Sequence, residues 1–392
     1  MKNILIDLTQ IPLERTGVGI YAVNYVSRLR EQRGRFRLHF LILDDDAELL
    51  ELARAVPDVT VMTLPARIFR RFVSRVLLEQ VGIPAIAMAK KIDLVHSLHY
   101  SFPLLSFGRF RRVVTVCDMS FLLFPELHIL VKRVFFGFFI RRLPGIEGLL
   151  FISASTMHDF GKYFPASKAA SAVVPLGTNL DHWRREPDAG LVTALKQRFG
   201  IDRYILYVGA LEPRKNILGL VKAFERCADI DPDLKLVIAG KLGWNYDDLL
   251  QYVRESALGE RIVLTGYINE AEKHALLKSA QLFAYVSLYE GFGLPVLEGM
   301  AAGVPTVTSN ISSMPEVAGQ GALQIDPQEV GQIADALKDL ILDENVRRQW
   351  RERGLEQSRA FTWENMTRGW LDFYQHVLDR AAQPAHLPHH DQ

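Results

Sequence analysis

Short apolar runs closed by glycine or a polar residue recur along this chain. Longer stretches with helical spacing separate them, and the pattern starts afresh near the middle. Residues 3–7, 37–43, 59–64, 94–96, 113–117 and 149–152 read as strands in the first half, and 204–208, 234–239, 262–265, 281–286 and 304–308 in the second. Runs so short and so continuously apolar fit strands buried on both faces of a parallel sheet. Parallel strands need long crossovers, usually helical, and the intervening segments supply them. The expectation is therefore two α/β domains with doubly wound parallel sheets, and a length of 392 residues agrees with two domains.

Composition narrows the classes. Apolar content of 49% and charged content of 23% are those of an ordinary globular protein. Cys117 and Cys227 lie far apart and form no metal or redox motif, which suggests a reducing compartment without a structural disulfide. Met1 opens directly on a strand pattern with no signal peptide, and no uninterrupted apolar segment reaches membrane-spanning length; a cytoplasmic protein is expected. The net charge of +1 hides an asymmetry: residues 1–190 hold 25 Lys/Arg against 18 Asp/Glu, a balance of +7, and the remainder balances at −6. A basic half faces a different partner from an acidic one, but no nucleic-acid module or basic-aromatic signature is present, so nucleic acid is excluded.

The chemistry concentrates in Ser287-Leu-Tyr-Glu290-Gly-Phe-Gly-Leu-Pro-Val-Leu-Glu298-Gly-Met-Ala-Ala-Gly-Val-Pro305, where Glu290 and Glu298 stand eight positions apart. Gly291 and Gly293 let backbone approach a ligand, and Pro295 suits the first turn of a helix. The amides of Phe292, Gly293 and Leu294 then point out of a helix N-terminus, where phosphate binds well. Glu298, a turn further on, can accept two hydroxyl hydrogen bonds from a ribose diol, and Glu290 on the loop faces whatever hangs from the phosphate. That outlines a nucleotide-sugar site.

This stretch resembles the retaining glycosyltransferases of the GT-B fold, family 4 (group 1), among them the bacterial mannosyl- and rhamnosyltransferases of surface polysaccharide synthesis, which carry a Glu-x7-Glu signature in the same context. The resemblance implies two Rossmann-like doubly wound domains facing a cleft. It divides the chain into residues 1–185, the acceptor-binding domain; 186–360, the nucleotide-sugar domain; 361–380, a helix crossing back to the first domain; and 381–392, a disordered tail with His386, His389 and His390. The linker is expected near 180–192, which is polar and breaker-rich.

Tyr207-Val-Gly209-Ala-Leu-Glu-Pro-Arg214-Lys215-Asn216 follows a strand and opens a helix. Adjacent cations there oppose the helix dipole, so structure alone explains them poorly. A departing nucleoside diphosphate gains negative charge, and Arg214 and Lys215 would stabilise it. The resemblance implies this role, with Gly209 close to the donor. Thr16-Gly17-Val-Gly19 resembles the family's N-terminal glycine loop, which sits beside donor phosphate and sugar. It also reads as a plain tight turn, and Ala22 stands where a dinucleotide fingerprint would need its third glycine. Tyr267, after a strand, corresponds to a loop that meets the nucleobase, and Gly240-Lys241 also sits at a strand end near the implied cleft. Pro315-Glu316-Val317 matches a structural turn.

Thr115-Val-Cys117-Asp118 departs from the family, which has histidine where this chain has Cys117. A thiol is a poorer hydrogen-bond partner. Either the sugar differs, or His96 or His99 compensates, or activity is impaired; Asp118 is expected near the acceptor. Asp44-Asp45-Asp46 spells a metal-binding D-x-D but leads into a helix, whose N-terminus explains the acids, so no metal is expected. Two basic, aromatic-rich stretches, 66–78 and 131–142, read equally as core helices with solvated edges or as interfacial helices on anionic lipid, and the charge of the first half tips the balance to the membrane surface.

The expected activity is retaining transfer of a hexose, mannose or a deoxyhexose by preference, from a nucleotide diphosphate sugar to a glycan or lipid-linked glycan. Glu290, Lys215, Arg214 and Asp118 would act in catalysis. Glu298, Gly17, Gly19, Phe292, Gly293, Leu294, Gly209, Tyr267 and Cys117 would bind the donor. No cofactor is expected, with GDP preferred over UDP in the donor. A nucleotide-sugar epimerase and a non-catalytic sugar-nucleotide scaffold are the alternatives.

Overall fold

The computed structural model describes residues 1–15, 17–31, 34–127 and 130–380. Thr16 and the tail histidines lie outside the described residues. The chain divides into two compact units, Met1–Leu176 with the segment from Trp363 onward, and Gly177–Thr362.

The first unit holds β1 (Lys2–Asp7), β2 (Phe36–Leu43), β3 (Val59–Leu64), β4 (Leu94–Ser97), β5 (Arg111–Val116), β6 (Gly148–Phe151) and β7 (Ala170–Val173) in one sheet of order β3-β2-β1-β4-β5-β6-β7. Every pairing is parallel, with Ile4 of β1 opposite Leu38 of β2 and Leu94 of β4. The second unit holds β8 (Tyr204–Val208), β9 (Lys235–Ala239), β10 (Ile262–Gly266), β11 (Leu282–Tyr285), β12 (Thr306–Ser309) and β13 (Leu323–Ile325), ordered β10-β9-β8-β11-β12-β13 and again all parallel. The central strands β8 and β11 are almost wholly buried, because helices cover both faces of such a sheet. Each sheet reverses its order once, between β1 and β4 and between β8 and β11. Ligands of open α/β sheets bind outside the carboxyl ends of strands at such reversals.

Three sequence expectations change. The strands β7 and β13 were not foreseen; with four and three residues at sheet edges they are too short to show a period. Residues 180–192 are not an extended connection. Leu180–Arg184 and Ala189–Phe199 are helices, capped by the side chains of Asn179 and Asp188 accepting from His182 N and Leu191 N. The polar, breaker-rich composition that suggested a linker is also that of helix N-termini. The units part at Leu176/Gly177 instead, nine residues before the expected boundary. Finally, the continuous helical stretch Phe72–Ala89 is by length and composition apolar enough to cross a membrane, with mean hydropathy 1.4 and 28% of it buried. Arg75 and Glu79 interrupt its apolar run, which is why the sequence offered no such segment.

The last helix, Trp363–Arg380, packs within the first unit. Trp370 and Tyr374 are fully buried: the Trp370 ring lies 4.5 Å from that of Tyr25, and the Tyr374 hydroxyl meets Tyr25 Oη at 2.9 Å and His96 Nδ1 at 2.6 Å. Arg28–Glu364 (2.9 Å) closes its exposed edge.

Candidate active site

In the second unit the segments leaving β8 and β11 are stitched together. Leu288 N donates to Arg214 O (2.8 Å) and Arg214 Nη1 to Tyr289 O (3.1 Å). The next loop clamps them from the other side: Ser312 and Ser313 hydroxyls donate to Glu290 O at 2.7 and 2.9 Å, and Ser313 also to Phe292 O at 2.8 Å.

This frame holds a charge cluster around a buried carboxylate. Glu290, 9% exposed, pairs through Oε2 with Arg214 Nη1 (3.0 Å) and through Oε1 with Lys215 Nζ. Tyr285 Oη donates to Glu290 Oε1 (2.8 Å) and accepts from Lys215 Nζ (2.5 Å), and Ser287 Oγ also donates to that oxygen (3.3 Å). Burial opposes charge on Glu290, but Arg214 and Lys215 outweigh it and pull its carboxyl down to about 2. Burial in turn lowers Lys215 from its usual value, against the pull of Glu290. Glu212 takes Arg214 Nε (2.9 Å), so the guanidinium is fixed from two sides. The cluster unites Arg214, Lys215 and Glu290, and adds Tyr285, Glu212, Ser312 and Ser313, which sequence reasoning missed. Tyr285 stood in view at the end of an apolar strand, but nothing in its spacing distinguished it from a core aromatic.

Gly293 has φ +104° and caps the helix Leu294–Ala301. A side chain there would be strained and would lie 2.4 Å from Met314 Cε, so the position requires glycine. Phe292 is buried, while Leu294 and Pro295 open the helix. Glu298 lies within this helix and meets Lys273 Nζ at 3.1 and 3.2 Å. Burial raises the Glu298 carboxyl above its ordinary value, with Lys273 pulling it back. Burial would lower Lys273, yet Glu298 and Glu270 outweigh it and hold it cationic. Lys273 had no sequence signal, since a lysine on a helix is normally solvated. The capping box of Asn269 and Glu272 marks the helix that carries it.

Gly209 N donates to Ala239 O (2.9 Å). A side chain on Gly240 would come 2.0 Å from Gly209 O, so the loops after β8 and β9 touch only because residue 240 is glycine. Tyr267, just past β10, is 75% exposed.

Gly17, Gly19, Cys117 and Asp118 belong to the first unit. Gly17 precedes the helix Val18–Arg28, and Gly19 is buried in its first turn. Tyr21 of that helix reaches Cys117, with Oη 3.7 Å from Sγ, and burial pushes the thiol up to about 12. Cys117 is therefore a neutral thiol. Asp118 accepts from Tyr100 Oη (2.9 Å), Ser120 N (2.9 Å) and Ser120 Oγ (2.7 Å), so its carboxylate organises the turn after β5. His96 is a core residue held between Tyr374 and Thr115 Oγ1 (2.8 Å), and burial lowers it to about 3. It is not available to compensate for Cys117. The D-x-D acids are engaged in structure: Asp46 accepts from Leu49 N and pairs with Arg15, Asp45 pairs with Arg70, and Asp44 accepts from Ala66 N. Among the described residues no group of three His, Cys, Asp or Glu could hold a metal.

Comparison with known proteins agrees with this geometry. The profile of the family "Glycosyl transferases group 1" matches residues 194–357. Among curated proteins, O-antigen chain mannosyltransferase B of Escherichia coli is 32% identical over 67% of this chain and 70% of its own length. Among solved structures, sucrose-phosphate synthase from Thermosynechococcus elongatus superposes with a TM-score of 0.73 at 18% identity, covering 98% of this chain and 100% of that one. Anabaena Alr3699/HepE in complex with UDP and glucose superposes with a TM-score of 0.72 at 16% identity, covering 96% and 99%. The fold is thus GT-B, and a GT-B glycosyltransferase is the class that fold and sequence define. The chain belongs to the glycosyl transferases group 1 family, and its activity is glycosyl transfer.

Proposed function

We propose that this protein transfers a hexose, mannose or a deoxyhexose by preference, from a GDP-sugar to a hydroxyl of a glycan or lipid-linked glycan, with retention at the anomeric carbon. The observation that carries the reading is the buried Glu290–Lys215–Arg214 cluster at the reversal of the second sheet. The relative named as an O-antigen chain mannosyltransferase supports the sugar and the polymer.

In the reaction the bond from the sugar's anomeric carbon to the diphosphate oxygen breaks. The acceptor oxygen bonds that carbon from the same face, and the acceptor proton passes to the departing diphosphate. Arg214 and Lys215 neutralise the charge that develops on the diphosphate, more in the transition state than in the ground state. Glu290, kept ionised, accepts hydrogen bonds from sugar hydroxyls and faces the positive charge on the ring. The amides of Phe292, Gly293 and Leu294 meet phosphate, Glu298 the ribose hydroxyls, and Tyr267 with Gly209 the nucleoside end. Because buried Lys215 and half-buried Arg214 serve the diphosphate, the reaction needs no metal. Gly17, Gly19 and Cys117 are the candidates for binding donor that the first unit offers, and Asp118 its candidate for meeting the acceptor. The exposed apolar side chains of 66–78 and 131–142 rest on anionic lipid at the cytoplasmic face of the membrane.

Calorimetric titration with GDP, UDP and NAD, with and without Mg, on the wild type and on Glu298→Ala tests this. Binding of GDP without metal, weakened roughly tenfold or more by the substitution, is expected, since a hydrogen bond to a charged group is worth that much. Binding of NAD alone, or of no nucleotide, would sink it. The anomeric configuration of the product, read by NMR, tests retention separately.

A further inference from the structure

Lys273 is only 9% exposed, an unusual place for an ammonium. Three groups hold it there. Glu298 meets it at 3.1 and 3.2 Å, and Glu270 at 3.0 Å. The Glu270 side chain is 69% exposed, so water and salt screen that pair and it contributes little. The third group is the ring of Trp183, with Lys273 Nζ 5.3 Å from its centroid. Trp183 is buried, and an indole face attracts a desolvated ammonium more strongly than any other side-chain ring.

Three helices distant in sequence bring these groups together. Trp183 comes from Leu180–Arg184, which Asn179 caps and which packs against Leu294–Ala301, the helix of Glu298. Lys273 comes from Glu270–Ser279. The indole is itself fixed. The His182 ring stands edge to face on it at 4.9 Å and the His274 ring at 5.6 Å, and the two imidazoles lie 4.6 Å apart. Burial lowers both histidines from their usual value, so near neutral pH neither competes as a cation for the indole face. An indole also has a hydrogen-bond donor and no acceptor. It therefore attracts the ammonium without offering it a hydrogen bond that would draw it off Glu298. Filling core volume does not require an aromatic face beside a buried ammonium; keeping that ammonium in place does.

We infer that Trp183 is a positioning residue for the donor: its ring keeps the Lys273 ammonium on Glu298 and so sets how firmly that carboxylate grips the ribose diol. The inference rests on the reading of Glu298 as the group that meets the ribose, and adds to it a residue more than a hundred positions before the glutamate motif. The segment of Trp183 read as a linker in the sequence; in the fold it is a support of the nucleotide site.

The test is calorimetric titration of the full chain with GDP and with 2′,3′-dideoxy-GDP, which lacks the diol. The wild type should prefer GDP roughly tenfold or more, since the diol bonds a charged group. In Trp183→Leu, which keeps apolar bulk and removes the ring, that preference should shrink about threefold to tenfold. The shrinkage should come from weaker GDP binding, with the dideoxy nucleotide changed by less than about twofold. Trp183→Phe, with a weaker ring, should fall between the two, and on a Lys273→Met background it should change the preference no further. A ring that merely supports the core would weaken both nucleotides alike. Equal weakening of both nucleotides, or an undiminished preference in the Trp183 variants, would overturn the inference, and Trp183→Phe decides if Trp183→Leu does not fold. If the wild type prefers GDP and the variants keep that preference, this inference falls and the ribose role of Glu298 stands. If the wild type binds both nucleotides equally, or neither, the reading of Glu298 falls and takes this inference with it.

Discussion

Beyond β8 and β11 the second unit buries a carboxylate that stays charged; beyond β1 and β4 the first unit buries one that tends to lose its charge. Glu290 and Glu79 are both removed from water, and burial raises both. Glu290 has two cations and a tyrosine hydroxyl on its oxygens and ends at about 2, whereas Glu79 has one partly exposed arginine and ends at about 7. Burial acts the same way elsewhere in the first unit, with His99 lowered to about 4 and Cys117 raised to about 12. One architecture thus supports two electrostatic regimes. Paired charges suit a small, highly charged ligand, whereas an unpaired buried carboxyl favours its neutral form.

Removing a cation from the charged cluster should give the largest effect and make the second unit resemble the first. In Lys215→Met, turnover should fall on the order of 10²–10³-fold, as loss of one transition-state charge partner does. The residual rate should also become sensitive to mild acid, because burial then acts on Glu290 with one cation, Arg214, and the Tyr285 hydroxyl against it. Initial rates of sugar transfer against pH would show this; a loss under tenfold with an unchanged profile would break the contrast.

Lys273→Met applies the same test to Glu298. Without its ammonium partner that buried carboxyl rises further, so GDP affinity should drop roughly tenfold. The deficit should grow as pH falls from 8 to 6, and Lys273→Arg should restore most of it. A uniform loss at all pH values with no rescue by arginine would instead mark Lys273 as a packing residue.

Glu79→Gln probes the other regime through stability. The folded protein holds a proton on Glu79 that the unfolded chain, with an ordinary carboxyl near 4.5, has released. The stability this contributes is complete below pH 4.5 and is lost as pH rises through 7. The glutamine variant lacks that slope, and at pH 8 should be more stable than the parent by about 1–3 kcal/mol, with no such gain at pH 4. Thermal unfolding at the two pH values decides it.

Asp46→Ala should do least. It removes a helix cap and one partner of Arg15, costing about 1–2 kcal/mol in denaturant unfolding. Sugar transfer, with or without a chelator, should stay as in the parent; a metal-dependent loss of rate would restore the D-x-D reading of Asp44 and Asp46.

Much of this was legible in the residues. The parallel sheets followed from short, continuously apolar strands separated by helical stretches, and the helix at Leu294–Ala301 from Gly293 and Pro295 at its start. Arg214 and Lys215 stood out because cations are costly where a strand gives way to a helix, and Glu290 because it stands eight positions before Glu298 in the glycine-flanked motif. The edge strands β7 and β13 were not legible, since a strand of three or four residues carries no period. Nor were Tyr285, Lys273 and Glu79, whose types occur in any core or on any helix, and His96 looked as useful as His99 until Tyr374 was found against it.

The sequence by itself determined the local grammar: strand, turn, helix, and which turns carry charge. Only the tertiary structure decided which charges survive. Whether a buried carboxyl stays ionised depends on cations brought to it across the chain, and Lys215 and Glu290 are 75 residues apart. Burial acts on every such group alike, and the partners that offset it are assembled only when the strands take their places in the sheet.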